Sequence, residues 1–127
     1  MVHANQEIVL VEDDESVRRA MERILRGVGY RVSTFGSAEE LLGALDGAAM
    51  RQECGCLICD IRLPGLSGFE LHRRCQERGR TPPWIFITAH DDPALRKQAD
   101  RDGAAYLLKP FRGRALLALV AQSMRAA

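Results

Sequence analysis

The stretch Ile8-Val9-Leu10-Val11-Glu12-Asp13-Asp14 passes from four consecutive aliphatic residues straight into three acids. A short apolar run without polar alternation suits a strand covered on both faces, as strands are inside a parallel sheet. Comparable runs recur at residues 31–35, 56–59, 84–88 and 105–108. Helical patterns lie between them. Val17, Ala20, Met21, Ile24, Leu25 and Val28 follow the i, i+3, i+4, i+7 rule and form one apolar stripe. The second pattern opens on Ser37-Ala38-Glu39-Glu40, where Ser37 can cap and Glu40 can reach back, and continues through Leu41, Leu42 and Leu45. Ser67-Gly68-Phe69-Glu70 repeats that device. The fourth pattern starts at Asp92-Pro93 and stops near Gly103, with a thin stripe of Ala94, Leu95 and Ala99. The last carries Leu116, Leu117, Val120, Ala121 and Met124. This (βα)5 order predicts an α/β fold: a single doubly wound domain, its five-stranded parallel sheet covered by helices on both faces.

A chain of 127 residues, 46% of them hydrophobic, can bury the core of one such domain without staples. Its 18 basic and 17 acidic residues nearly cancel, so no overall field draws it onto nucleic acid or an anionic membrane. No direct nucleic-acid binding is expected. The N-terminus lacks a basic stretch followed by an apolar run, and no segment approaches the about 20 apolar residues of a membrane span. A cytoplasmic location is the expectation. Cys54, Cys56, Cys59 and Cys75 lack the paired Cys-x-x-Cys spacing of a zinc site and read as small core hydrophobes.

In a doubly wound sheet, ligands bind where strands give way to helices at their C-terminal ends. There the first strand runs into Glu12-Asp13-Asp14, the third into Asp60, the fourth into Thr88-Ala89 and the fifth into Lys109-Pro110. Glu12, Asp13 and Asp60 would then share one pocket, where mutual repulsion raises their pKa values unless a cation offsets it. An oxygen-only donor set suits a hard cation, Mg²⁺ in particular, which keeps several waters and binds phosphate oxygens. Any one of these acids alone would read as a helix cap, and Asp14 is expected to be one. Acids, hydroxyl and lysine on four strand ends together point to chemistry.

Val11-Glu12-Asp13-Asp14, the run from Cys59 to Gly68, Ile87-Thr88-Ala89 and Tyr106-Leu107-Leu108-Lys109-Pro110 resemble, in order and across essentially the whole chain, the signature stretches of receiver domains of two-component response regulators. The resemblance implies a flavodoxin/CheY-like fold and one receiver domain over residues 1–127, with a core of about 6–125 and no output domain in this chain. It implies that Asp60 is the phosphoacceptor, taking a phosphoryl group from a sensor histidine kinase or phosphotransfer protein. Mg²⁺, for which Mn²⁺ can substitute, would be held by Asp13, Asp60 and the backbone carbonyl of Arg62, with Glu12 acting through water. Thr88 and Ala89 would line the phosphoryl site, Lys109 would contact Asp60 and a phosphoryl oxygen, and Tyr106 would be the switch aromatic. The bond preceding Pro110 resembles one that is cis in the family. Arg62 and His90 occupy the positions that tune phosphoryl lifetime, although His90 also reads as a solvated loop residue. A phosphorylation-dependent homodimer would form through the face made by the fourth helix, fifth strand and fifth helix.

The stretch from Ser33 to Leu42 looks like the FixJ-like subgroup, whose members commonly carry a DNA-binding output domain. The resemblance implies that the receiver itself is a phosphoacceptor signalling domain, not an enzyme beyond its own phosphorylation and dephosphorylation. A stand-alone receiver acting by protein–protein contact is the alternative. A haloacid-dehalogenase-type phosphohydrolase would need an acid two residues after its nucleophile, where this chain has Arg62. His72 is expected to be a satisfied, partly buried helical residue and His3 to lie in a tail.

Overall fold

The computed structural model describes residues 7–47 and 54–126; the expectation for His3 lies outside them. Strands and helices alternate along the chain as β1 (Glu7–Val11), α1 (Glu15–Gly27), β2 (Arg31–Phe35), α2 (Ala38–Asp46), β3 (Cys54–Asp60), α3 (Gly68–Glu77), β4 (Trp84–Thr88), α4 (Pro93–Arg101), β5 (Ala105–Leu108) and α5 (Gly113–Ala126). The strands form one parallel sheet in the order β2-β1-β3-β4-β5. The chain winds outward from β1 to β2 and then crosses to β3. The crevice between the C-terminal ends of β1 and β3 is therefore the topological switch point, where doubly wound sheets bind ligands.

Consecutive strand residues point to opposite faces, and both faces are covered. Val9, Val11, Leu57, Cys59 and Phe86 pack with Leu41, Leu42, Leu71 and Ala99 of α2, α3 and α4. Ile8, Leu10, Ile58, Ile85 and Ile87 pack with Met21, Leu25, Leu116 and Val120 of α1 and α5. This two-sided burial is why the strands read as continuous apolar runs. The edge strand β5 is only half-buried along its length. Val28 departs from the expected α1 stripe: it is the C-cap residue and 38% exposed, and Ala20 is exposed as well. In α4 only Ala99 is buried, so the thin stripe holds.

β3 begins two residues before the apolar run that announced it. Glu7 pairs with Cys54 while Ile8 pairs with Cys56, so Gly55 is the extra residue of a bulge that interrupts the pattern. The caps form as the side chains dictate: Asp14 accepts from Val17 N, Ser37 from Glu40 N, Ser67 from Glu70 N and Asp92 from Ala94 N. The reciprocal arms do not close. Glu40 Oε2 accepts from Gly36 N at 2.8 Å, one residue before the cap, and Glu70 turns to Arg73 on its own helix. A charged partner three residues on outcompetes a lone amide.

Candidate functional site

At the switch point each strand delivers one group. Glu12 leaves β1 fully buried, its backbone held by Glu12 N donating to Phe35 O at 3.0 Å and by Arg18 Nη1 donating to the Glu12 carbonyl at 2.8 Å. Asp13, next along, is exposed. Asp60 ends β3 at 6% exposure. Glu12, Asp13 and Asp60 each offer a carboxylate oxygen, all within 4.8 Å of one another. The expected acid pocket is thus assembled from residues 48 positions apart in sequence.

Three carboxylates this close demand a cation. Lys109, which follows β5, supplies one: its Nζ donates to Glu12 Oε1 and to Asp60 Oδ2, each at 2.7 Å. The Asp60 contact was legible in the sequence. The Glu12 contact was not, because a longer acid at that position reads as a water-mediated ligand rather than a lysine partner. Burial pushes the Glu12 carboxyl above its ordinary value, and the Lys109 and Asp14 hydrogen bonds only partly oppose that rise. For Lys109 burial acts downward, but its bonds to Asp60 and Glu12 outweigh it and leave the pKa raised. A lysine whose folded pKa exceeds its unfolded value stabilises the fold fully below the unfolded value, and that contribution is lost only as pH rises through the folded one.

The other strand ends complete the edge. Thr88 is fully buried; its Oγ1 accepts from His90 N at 3.1 Å, and its carbonyl accepts from Lys109 N at 2.7 Å, tying β4 to the exit of β5. Ala89 and His90 are exposed. The half-buried Tyr106 donates its hydroxyl to the His90 carbonyl at 3.0 Å, and Arg96 of α4 lies over its ring at 4.5 Å. Pro93, Arg96, Lys97, Asp100, Ala104 and Tyr106 line a pocket of about 640 Å³ on this flank. The Lys109–Pro110 peptide bond is cis. Arg62 is exposed, and its backbone N–H donates to Asp60 Oδ1 at 3.2 Å. Gly68 lets the start of α3 sit against the end of β3, since a Cβ there would lie 2.5 Å from the Asp60 carbonyl oxygen.

The donor chemistry fits a hard divalent cation: three carboxylates, no His or Cys, at one mouth of the sheet. The cysteines belong elsewhere. Cys56, Cys59 and Cys75 are buried and Cys54 half-buried, all four are unpaired, and burial pushes the Cys54 thiol to about 12 and the Cys75 thiol to about 11, which suppresses thiolate chemistry. His72 is a core residue at 7% exposure, edge-on to Trp84 at 4.7 Å between centroids and 3.8 Å from Asp102. Burial lowers its pKa against the pull of Asp102.

A family model described as response regulator receiver domain matches residues 8–121. The chain is 36% identical over 121 residues to response regulator protein TmoT of Ectopseudomonas mendocina, covering 94% of this chain and 53% of that protein. It is 33% identical over 121 residues to transcriptional regulatory protein FixJ of Bradyrhizobium diazoefficiens, covering 94% of this chain and 57% of that protein. The chain therefore spans about half the length of these curated relatives. A solved response regulator receiver protein from Burkholderia phymatum is similar with a TM-score of 0.81 and 40% identity, over 97% of this chain and 98% of that one.

The pairing of Lys109 with both acids leads to a first prediction. Replacing Lys109 by Met should destabilise the cation-free fold by about 1–3 kcal/mol, less than breaking a fully buried pair because the lysine side chain keeps 20% of its exposure. Urea unfolding with and without Mg²⁺ checks this, and the ion should restore part of the loss. An unchanged midpoint would mean that Lys109 does not hold the acids.

Proposed function

The chain belongs to the response regulator receiver domain family, and on that premise we propose that Asp60 is its phosphoacceptor. Receiver domains are signalling modules that work with histidine kinases. In this reading a sensor kinase or phosphotransfer protein presents a phosphohistidine, and an Asp60 carboxylate oxygen attacks the phosphorus. The P–N bond breaks, its electron pair and a proton leave with the imidazole, and an aspartyl phosphate remains. The observation that carries the assignment is the meeting of Asp60, Glu12, Asp13 and Lys109 at one sheet edge, with Lys109 Nζ 2.7 Å from Asp60. Phosphoryl transfer asks chiefly for positioning and for positive charge beside the equatorial oxygens, which such an edge can supply.

Asp13, Asp60 and the Arg62 carbonyl would hold Mg²⁺, or Mn²⁺ in its place, with Glu12 acting through water. When bound, the ion offsets the carboxylate and phosphoryl charge. Lys109 would move its contact from the Asp60 carboxylate to a phosphoryl oxygen. Thr88, whose hydroxyl accepts from the His90 amide, would donate its own proton to the phosphoryl group and draw the following loop, Ala89 included, inward. Tyr106 is bonded to that loop through the His90 carbonyl and would follow it, altering the α4-β5-α5 face. The lightly packed α4 supports such a shift, because weakly buried elements move at low cost. Residues 1–127 form the receiver, with a core of about 6–125, and catalyse only their own phosphorylation and dephosphorylation. Output is read as transcriptional, through a DNA-binding domain, by likeness to FixJ, which is named a transcriptional regulatory protein. No described helix is long and apolar enough to cross a membrane, and the four unpaired thiols suit the cytoplasm.

Incubation with acetyl phosphate and Mg²⁺ should add ~80 Da, one HPO₃ unit, by intact mass. The adduct should vanish in Asp60→Asn; its persistence there would overturn the assignment. Arg62 and His90 flank the phosphoryl position, and the bulky Arg62 should slow hydrolysis. Decay of the adduct should therefore quicken in Arg62→Ala by a few-fold, on the order of 1 kcal/mol of barrier, and an unchanged decay rate would remove Arg62 from this role. Finally, a dimer through the α4-β5-α5 face should appear as an earlier elution in size-exclusion chromatography with beryllofluoride, whereas elution at the monomer position would reject it.

A further inference from the structure

The loop between β3 and α3 carries Arg62, whose amide bonds Asp60, so its position bears directly on the phosphoryl site. Its two ends are anchored by the sheet and the helix. Ile61 N donates to Ile87 O at 2.9 Å, Gly68 N donates to Ile61 O at 2.8 Å, and Ser67 caps α3. The middle of the loop is held from a different element. Leu66 N donates to Glu39 Oε2 at 3.1 Å, a contact between residues 27 positions apart. Glu39 sits in the first turn of α2, where the helix dipole favours a carboxylate.

Gly65 is shaped to this contact. It adopts φ +77°, a left-handed conformation that favours glycine, and a Cβ at that position would run into the Glu39 carboxylate. The next acid along, Glu40, holds Gly36 N at 2.8 Å. Arg18, which holds the Glu12 carbonyl, lies 3.5 Å from where a Cβ on Gly36 would be. The first turn of α2 therefore holds both the β3–α3 loop and the turn that leads into α2 itself. It ties the β3–α3 loop directly through Glu39, and through Glu40 it holds Gly36, beside which the arginine that anchors the β1–α1 loop lies.

We propose that Glu39 is a positioning residue for phosphorylation: its carboxylate, by accepting the Leu66 amide against Gly65, sets the β3–α3 loop so that the Arg62 backbone is registered on Asp60. The proposal rests on the reading of Asp60 as phosphoacceptor. Glu39 itself touches neither Asp60 nor a phosphoryl group, and acts through the loop.

Glu39→Ala removes the acceptor, whereas Glu39→Gln removes the charge and keeps a carbonyl oxygen for Leu66. The first readout is amide hydrogen exchange at Leu66 and Arg62 in the cation-free protein, which should quicken about threefold to tenfold in the Ala variant, the range of one exposed hydrogen bond. The second is Mg²⁺ affinity by titration of the free protein, which should weaken by a similar factor in Ala and return to within about twofold of the parent in Gln. The third is the acetyl phosphate rate, which should fall in Ala at low Mg²⁺ and recover at saturating Mg²⁺. The proposal is overturned if Leu66 exchange is unchanged in Ala, or if exchange quickens while Mg²⁺ affinity stays put. Equal weakening in Ala and Gln would also overturn it, since the effect would then be long-range charge. Failure of the parent protein to form an Asp60 adduct would sink the phosphoacceptor reading instead, leaving the first two measurements to judge Glu39.

Discussion

One ammonium group stands at the centre of this structure. Lys109 Nζ bonds Glu12 and Asp60 at 2.7 Å each, and without it two carboxylates, at 0% and 6% exposure, would face each other across the end of the sheet. Charges of one sign at that distance and burial are costly, and the pKa of Glu12 remains raised even with the lysine in place. The pairing imposes a topology. Lys109 lies 97 residues from Glu12 and 49 from Asp60, so the contact exists only if β5 ends at the same edge as β1 and β3 and the chain turns back over the sheet on leaving it. The bond from Lys109 N to the Thr88 carbonyl, 2.7 Å long, secures that turn on the neighbouring strand.

The remainder of the fold divides into parts that hold this edge and parts that can move around it. α1 and α5 bury Met21, Leu25, Leu116 and Val120 on one face, and α2 and α3 bury Leu41, Leu42 and Leu71 on the other. These contacts keep the strand ends in register. Loops leaving the sheet are then tied by single side chains from the helices: Arg18 on the Glu12 carbonyl and Glu39 on the Leu66 amide. α4 differs, with Ala99 as its one buried residue and Arg96 lying over Tyr106 at its surface. Weakly buried elements of this kind are the ones that shift at low cost.

Much of this was legible from residue order. The continuous runs announced two-sided burial, and the cores on both faces bear that out. Asp14, Ser37, Ser67 and Asp92 cap where their side chains said they would, because a cap is a contact over two or three residues. The pattern failed where a partner lay outside its window. Gly55 hid the start of β3, since a bulge has no hydrophobic signature of its own. Val28 fitted the helical period but fell after the helix had ended, which left it exposed. Glu40 and Glu70 were set to close capping boxes and found Gly36 and Arg73 instead.

The sequence by itself determined the class of fold and which residue types leave each strand end, because hydrophobic period and capping act over a few neighbouring residues. It also determined that Glu12, Asp13, Asp60, Thr88 and Lys109 would emerge at one edge, since parallel strands all end on the same side. Only the tertiary structure decided that Lys109 bridges Glu12 as well as Asp60, that Thr88 is joined to Tyr106 through the backbone of His90, and that Glu39 holds Leu66. Each of those contacts depends on ångström-scale placement of groups brought together by sheet register and loop path. Separation in sequence carries no information about distances of that kind.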